Sequence, residues 1–330
     1  MKNDLQERIF TLHDLSGFRE TALEVFRYQY SGNPVYNEFI RGLGRESGSV
    51  NRLEKIPFLP VEFFRNRKVI TGDFPAQIVF ESSSTTGSVP GRHFVTDLQI
   101  YEESFTRAFG IFYGDPSEYL IAALLPSYTE REGSSLVYMA EKLIGMSRNP
   151  LSGFYRDDIP GLITAICKGR NEDKKVLLLG VSFALLDLAE KNSPPDLSGV
   201  IIMETGGMKG RRKEITREEL HSILTEKLNV RFIHSEYGMT ELLSQAYSKG
   251  AGRFLCPPWM KVLIRDPQDP LTIFTETGRT GGINIIDLAN INSCSFLATS
   301  DLGRLHDDGS FEVLGRFDNS DVRGCNLMAE

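Results

Sequence analysis

Short apolar runs alternate with amphipathic stretches from about residue 76 to residue 235, and this alternation constrains the fold most strongly. The stretches Thr96-x-x-Gln99 and Thr216-x-x-Glu219 fit the capping box, a pattern typical of helix N-termini. Strand-like runs separated by such helices predict an α/β fold, with a mainly parallel sheet flanked by helices. The predicted strands are 76–80, 118–125, 175–179, 199–203 and 230–234.

The two ends of the chain have sequence patterns different from that of the middle. Residues 1–75 are predicted as a helical N-terminal lead packed on the main domain, residues 76–255 as the α/β core, and residues 256–330 as a β-rich subdomain. In the last of these, short strand-like runs are separated by Gly, Pro, Asp and Asn, which predicts an antiparallel sheet or small barrel. Those runs are 262–265, 271–275, 282–288, 295–299 and 310–314.

Charge and hydropathy narrow the function classes. The formal net charge is −7, from 37 Lys and Arg against 44 Asp and Glu, which argues against non-specific nucleic-acid binding. No run approaches the ~18 apolar residues that span a bilayer, and the acidic start of the chain lacks a signal-peptide core. The four cysteines are scattered and predict neither a disulfide framework nor a zinc site. We therefore expect a cytoplasmic protein without a membrane span.

A run of hydroxyl and glycine residues follows the first predicted strand. Small side chains let backbone N–H groups approach phosphate oxygens closely, and the hydroxyls add further donors. The spacing is not that of a P-loop, and an ordinary surface loop is the alternative. The candidate phosphate-binding residues are Ser82, Ser83, Ser84, Thr85, Thr86 and Gly87.

Two more signals stand at the ends of later strands, where parallel sheets hold ligands. Tyr237-Gly238-Met239-Thr240-Glu241 combines a glycine turn with a hydroxyl and a carboxylate, and hard oxygen ligands of this kind suit Mg2+. Gly206 and Gly207 permit close backbone approach by a ligand. Each pattern taken by itself also fits an ordinary turn.

A fourth signal lies in the β-rich segment, where Thr299-Ser300-Asp301 is followed by Gly315-Arg316-Phe317-Asp318. In this order, the four signals resemble the motifs of the adenylate-forming superfamily, whose members join a carboxylic acid to AMP. The resemblance implies the fold of that superfamily's N-terminal domain without its mobile C-terminal domain. It also implies that ATP and Mg2+ are the cofactors.

The resemblance assigns a role to each matching residue. Gly206 and Gly207 would lie along the adenine, Tyr237 and Gly238 would border it, and Thr240 would bond the α-phosphate. Glu241 would help to hold Mg2+, Asp301 would accept the ribose hydroxyls, and Arg316 would contact ribose or phosphate. Ser84 and Ser300 replace glycines of the family pattern, and Arg92 stands near the place of its lysine.

A finer resemblance is to the acyl-protein synthetase branch, the LuxE-type subunit of bacterial fatty-acid reductases. It is carried by residues 125–137 and by Arg323-Gly324-Cys325-Asn326-Leu327-Met328. It implies an ATP-dependent fatty acid–protein ligase that holds the acyl group as a thioester on Cys325 and passes it to a LuxC-type reductase partner. The alternatives are an acyl- or aryl-CoA ligase and a non-catalytic nucleotide- or acyl-binding partner.

Overall fold

The protein is described here by a computed structural model, which covers residues 2–82, 89–126, 133–207 and 215–317. The contacts divide the chain into two compact units. Unit 1 comprises Met1–Val79, Gly91–Leu98 and Leu255–Glu330, and unit 2 comprises Phe80–Pro90 and Gln99–Phe254. The predicted segments 1–75, 76–255 and 256–330 follow the sequence rather than contacts, and that division stays a prediction.

Helices and strands are numbered in chain order. The helices are α1 (Lys2–Ile9), α2 (Leu15–Gly32), α3 (Pro34–Gly42), α4 (Phe63–Asn66), α5 (Leu98–Tyr113), α6 (Ser135–Ser147), α7 (Ile159–Asn171), α8 (Ser182–Ala189) and α9 (Arg217–Leu228). The strands are β1 (Leu59–Pro60), β2 (Ile78–Glu81), β3 (Arg92–Val95), β4 (Tyr119–Leu124), β5 (Gly153–Phe154), β6 (Lys175–Val181), β7 (Ile201–Thr205), β8 (Ile233–Tyr237), β9 (Ala246–Ser248), β10 (Met260–Arg265), β11 (Thr280–Asp287), β12 (Phe296–Leu305) and β13 (Phe311–Arg316).

Unit 2 is built on a six-stranded sheet with the order β5-β4-β6-β7-β8-β9. All neighbouring strands are parallel except β9, which pairs antiparallel with β8. Strands β4 and β6 are apolar almost throughout, as expected when both faces of a parallel sheet are covered. The mainly parallel sheet that the sequence predicts is confirmed.

Each face of this sheet is covered by different helices. On one face, leucines and isoleucines of α7, α8 and α9 form a single apolar core with alternate residues of β4, β6, β7 and β8. On the other face, aromatic side chains of α5 pack on the strands, as in the contact of Phe109 with Tyr119 at 5.6 Å between ring centroids. Alternate residues of one strand therefore meet different surroundings.

Unit 1 is built on an antiparallel sheet with the order β10-β11-β12-β13, and the short β1 pairs parallel with β12. This confirms the antiparallel sheet predicted after residue 255. The buried amide of Gln29 on α2 joins the helical N-terminal part to the loop before β12. Its Nε2 donates to the carbonyl oxygens of Asn290 (2.9 Å) and Ile291 (3.0 Å), and its Oε1 accepts from the N–H of Ser295 (2.9 Å).

Three local predictions differ from the structure. No strand forms over residues 271–275, a described segment in which only Ile273 makes a bridge, to Arg265. The Thr96 capping box is wrong because α5 begins at Leu98, and the Thr96 hydroxyl is buried without a partner among the described residues. Strands β7 and β8 extend to Thr205 and Tyr237, so polar residues expected in turns belong to strands. By contrast, the Thr216 hydroxyl does cap α9, accepting from the Glu219 N–H at 3.1 Å.

Within the described residues, the helices are too short or too polar to cross a membrane.

The close packing of β6 predicts the effect of adding one methyl group. A Cβ atom at Gly180 would lie 2.8 Å from Leu185 Cγ and 3.3 Å from Leu124 Cβ. We expect Gly180→Ala to lower the free energy of unfolding by about 1–3 kcal/mol, because a packed core cannot accommodate the extra volume. Gly110→Ala is the matched control, since a Cβ there meets no atom of the described residues within 4 Å. In an exposed helix position it should stabilise by about 0.5–1 kcal/mol. Equal urea midpoints for the two variants would contradict this description of the core.

Candidate functional site

Polar residues replace apolar ones at the carboxyl ends of β7 and β8. The two strands pair in parallel, with Glu204 beside Ser235 and Thr205 beside Glu236. All four side chains are buried. Because side chains alternate between the faces of a sheet, the Glu204–Ser235 pair and the Thr205–Glu236 pair lie on opposite faces. The edge of the sheet therefore carries two separate polar clusters.

The first cluster surrounds the Glu204 carboxylate, which is 2% exposed. Ser182 Oγ donates to its Oε2 at 3.1 Å, and Arg217 Nε on α9 donates to its Oε1 at 3.2 Å. His221 Nε2 lies 3.6 Å from the same Oε1. Burial by itself would raise the pKa of Glu204, but the contact with His221 and the positive charge of Arg217 outweigh it, and the pKa is lowered. The carboxylate is thus held in its charged form.

The same cluster reaches the glycine pair that follows β7. Ser182 Oγ also lies 3.3 Å from the carbonyl oxygen of Gly206, to which it can donate. Gly206 has φ +68°, in the left-handed region that favours glycine. A Cβ atom on Gly207 would meet no described residue within 4 Å.

The second cluster lies on the α5 face of the sheet. The Thr205 hydroxyl donates to Glu236 Oε2. A Cβ atom at Gly238 would overlap Glu236 Oε1, so this position requires glycine as long as the carboxylate keeps its place. The glycine of the Tyr-Gly-Met-Thr-Glu motif thus leaves room for the Glu236 carboxylate as well as permitting the turn.

The remaining residues of that motif lie close to the same strand end. The Tyr237 ring is 8% exposed and packs against Phe254, with 5.8 Å between centroids. The chain then turns, with the Leu242 N–H donating to the carbonyl oxygen of Met239 at 3.0 Å. Thr240 is half-buried in this turn. The Glu241 side chain is buried.

The donor set at this strand end fits Mg2+ bound together with a nucleotide. The described residues contain no cluster of three or more His, Cys, Asp or Glu side chains able to enclose a metal. Mg2+ is commonly held by one or two carboxylates while phosphates and water complete its octahedron. Glu241, whose side chain is 7% exposed, is the predicted ligand and has the required chemistry.

Two predicted residues of unit 1 are brought together by strand pairing. Asp301 on β12 lies opposite Arg316 on β13, and Arg316 Nε is 3.4 Å from Asp301 Oδ1. The Arg316 side chain is 74% exposed, so the pair is open to a polar ligand. The third predicted residue, Arg92 at the start of β3, is exposed and has its guanidinium 5.6 Å from the centroid of Phe94.

Several predicted residues lie outside the described part of the chain. They are Ser83, Ser84, Thr85, Thr86, Gly87, Asp318 and Cys325. Ser82 is described and is half-buried at the end of β2. The roles assigned to all the site residues stay predictions.

The other three cysteines are described. Cys294 is buried and Cys256 is half-buried, and burial raises the pKa of each thiol to about 12. Because the thiolate is the reactive form, neither is suited to attack an activated acyl group. Cys167 is exposed on the amphipathic helix α7 and is distant in sequence from the strand-end residues.

The sequence prediction assigned no role to the residues that support these motifs. They are Ser182, Glu204, Thr205, Arg217, His221 and Glu236. A signal was available for the two glutamates, because each interrupts an apolar strand near its end. No comparable signal marks Arg217 and His221, since their role depends on α9 packing beside β7.

No protein-family model matches the chain, and no curated protein matches it in sequence. Solved structures do resemble it. A luciferase-like enzyme from the nonluminescent mealworm Zophobas morio matches with a TM-score of 0.51 and 16% identity, over 76% of this chain and 60% of that chain. The amide bond synthetase McbA from Marinactinospora thermotolerans matches with a TM-score of 0.47 and 19% identity, over 72% of this chain and 48% of that chain.

O-succinylbenzoate coenzyme A synthetase (MenE) from Bacillus subtilis, solved with ATP and magnesium ion, matches with a TM-score of 0.45 and 18% identity. That match covers 72% of this chain and 49% of the synthetase. The chain thus spans 60% of the mealworm enzyme and about half of the other two proteins. The likeness to the mealworm enzyme shows that the two proteins share a fold, and it agrees with the predicted α/β fold class.

The Glu204 cluster predicts how stability depends on pH. A carboxylate with a lowered pKa stabilises the folded state fully above its ordinary value of 4.5, and this contribution is lost as the pH falls through the lowered value. We expect Glu204→Gln to lower the free energy of unfolding by about 3 kcal/mol near pH 7, because a neutral amide no longer balances the charge of Arg217 at this buried position. Urea unfolding from pH 7 down to pH 3 should show this difference shrinking. Glu226→Gln, at a side chain 75% exposed, is the control. A difference that stays constant with pH would refute the charged state of Glu204.

Proposed function

We propose that this protein activates a carboxylic acid with ATP to form an acyl-adenylate. The observation that carries the proposal is the placement of the Tyr237–Glu241 motif and of Gly206 and Gly207 at adjacent carboxyl ends of a parallel sheet. This is the part of an open α/β sheet that holds ligands. The fold, the strand-end position and the motif chemistry all agree with nucleotide binding.

In the proposed reaction, a carboxylate oxygen of the acid attacks the α-phosphorus of ATP, and the bond from that phosphorus to pyrophosphate breaks. Thr240 would donate a hydrogen bond to an α-phosphate oxygen, while Tyr237 and the backbone of Gly206 and Gly207 would border the adenine. The predicted phosphate loop begins at Ser82. The protein's contribution is to position the two reactants and to stabilise charge on the phosphates.

Glu241 is proposed to hold Mg2+. When bound, this ion supplies positive charge beside the phosphate oxygens and favours the departure of pyrophosphate. Asp301 and Arg316 keep the ribose roles that the resemblance implies, since a carboxylate can accept from two hydroxyl groups. Their cross-strand pairing would hold both side chains in a defined orientation.

We propose further that the acid is a fatty acid and that Cys325 is the acyl acceptor. The thiol would lose its proton, Sγ would attack the acyl carbon, and the bond from that carbon to AMP would break, which leaves a thioester. Two observations support this choice. The residues around Cys325 resemble the LuxE-type family, and the thiols of the half-buried Cys256 and the buried Cys294 have raised pKa values. A LuxC-type reductase would then take the acyl group.

Intact-mass spectrometry tests the covalent step directly. After incubation with Mg·ATP and a fatty acid, we expect one ATP-dependent acyl adduct per chain that neutral hydroxylamine removes. Cys325→Ser should abolish the adduct, and Cys167→Ser, which changes an exposed cysteine, should retain it. If exchange of pyrophosphate into ATP continues without any adduct, the acceptor is not on this chain and coenzyme A becomes the better candidate. If exchange is also undetectable with every acid, the protein is a binding module.

The proposed role of Glu241 makes a separate prediction. Glu241→Gln should lower acid-dependent exchange of pyrophosphate into ATP by about 100-fold, because an amide is a weaker ligand for Mg2+ than a carboxylate. Raised Mg2+ should restore part of the loss. The matched control is Glu141→Gln, at an exposed position on α6. A loss that does not respond to the Mg2+ concentration would argue against a metal-binding role.

A further inference from the structure

Two buried polar atoms just after the Tyr237–Glu241 motif have no hydrogen-bond partner among the described residues. They are the side-chain oxygen Oε1 of Gln245 and the hydroxyl of Tyr247. Gln245 is 4% exposed and Tyr247 is 2% exposed. Buried polar atoms are nearly always paired in folded proteins, so an unpaired pair beside a proposed substrate site points to a missing ligand.

Both atoms belong to the Glu236 face of the sheet. Tyr247 on β9 lies directly opposite Glu236 on β8 in the antiparallel pairing, so the two side chains share a face. Gln245 precedes Tyr247 by two residues in the chain, a spacing that returns side chains to the same face of an extended segment. The Gln245 and Tyr247 side chains are therefore placed on the same face.

Aromatic side chains of α5 cover this part of the sheet. The Tyr247 ring packs against Phe112 and Tyr113, with 5.2 Å and 5.4 Å between centroids. Burial, and then the negative charge of Glu236, raise the pKa of Tyr247 well above its usual value. The phenol therefore stays protonated and remains a hydrogen-bond donor at physiological pH.

Gln245 lies beside the motif turn itself. A Cβ atom at Gly238 would be 3.4 Å from Gln245 Cγ and would also touch the Glu236 carboxylate. In the proposed reaction, this turn meets the α-phosphate and hence the carboxylate of the acid. A substituent of the acid that contacts Gln245 would thus be attached to a carbon near the carboxylate, rather than at the far end of an alkyl chain.

The two unpaired atoms need different hydrogen-bond partners. The amide oxygen of Gln245 needs a donor, and the Tyr247 hydroxyl can donate to an acceptor. A hydroxyl group supplies both, whereas an unsubstituted alkyl chain supplies neither. An alkyl chain would leave both protein atoms buried and unpaired in the complex, which is unfavourable.

We infer that the acid activated at this site carries a hydroxyl group on a carbon near its carboxylate, and that Gln245 and Tyr247 recognise that hydroxyl. This inference rests on the proposed adenylation activity and narrows its substrate class to hydroxy acids. Gln245 and Tyr247 are then specificity-determining residues, and they contact the acid rather than the nucleotide.

The experiment compares acids of equal chain length in the exchange of pyrophosphate into ATP. The set contains the unsubstituted acid, the 3-hydroxy acid and the acid with its hydroxyl at the far end. We expect kcat/KM for the 3-hydroxy acid to exceed that for the other two by about tenfold or more. Tyr247→Phe and Gln245→Met should each reduce this preference about fivefold, because each removes one hydrogen bond to the substrate.

Two quantities are measured for each variant. One is the preference ratio, which is kcat/KM for the 3-hydroxy acid divided by kcat/KM for the unsubstituted acid, and the other is the melting temperature (Tm) of the ligand-free protein. Tyr247→Phe should leave Tm unchanged or raise it, because it removes an unpaired buried hydroxyl. Tyr155→Phe is the matched control, since the Tyr155 hydroxyl donates to the carbonyl oxygen of Leu151 at 2.6 Å. It should lower Tm and leave the preference ratio as it is in the wild type.

Equal kcat/KM values for the three acids would overturn the hydroxy-acid inference and leave the adenylation proposal standing. A fall in Tm for Tyr247→Phe as large as that for Tyr155→Phe would also overturn it, since the hydroxyl would then have a partner in the free protein, such as a buried water. Exchange with none of the acids would overturn the proposed function and this inference together.

Discussion

The parallel pairing of β7 with β8 aligns Glu204 with Ser235 and Thr205 with Glu236, and the arrangement of the candidate site depends on this register. A shift by one residue would send each side chain to the opposite face. Glu204 would then lose Arg217 and His221, and Glu236 would lose Thr205. Burying a carboxylate without such partners is costly, so the polar pairs and the strand register support each other.

The two faces of the sheet edge are suited to different tasks. On the α9 face, Glu204 is enclosed by donors and a positive charge, and Ser182 links this cluster to Gly206. That cluster is satisfied within the protein, so its contribution is to hold the strand end and the glycine pair in place. On the α5 face, Gln245 and Tyr247 each have a buried polar atom without a partner in the described part of the chain. Substrate selection is proposed at that cluster.

Much of the fold followed from local patterns. The apolar runs near β4, β6 and β7 predicted strands because such runs are bounded by turn residues and separated by helix signals. The motif residues Tyr237, Gly238, Thr240 and Glu241 could be named because residue type and order carry the resemblance. Errors arose where local pattern competes with tertiary context. Thr96 has a capping sequence, yet α5 begins two residues later. Residues 271–275 have a strand-like composition, yet they pair with β10 only through a single bridge, between Ile273 and Arg265.

The sequence by itself determined the strand and helix periods, the position of the glycine turns and the chemical groups available at the strand ends. Only the tertiary structure decided which of those groups are paired. Glu204 and Glu236 both stand near strand ends in the sequence. Glu204 accepts a hydrogen bond from Arg217 on α9, while Glu236 accepts one from Thr205 on the neighbouring strand β7. Gln245 and Tyr247 look like ordinary polar residues until burial removes them from water. The physical reason is that pairing depends on strand register and on helix packing across a sheet, and both are non-local.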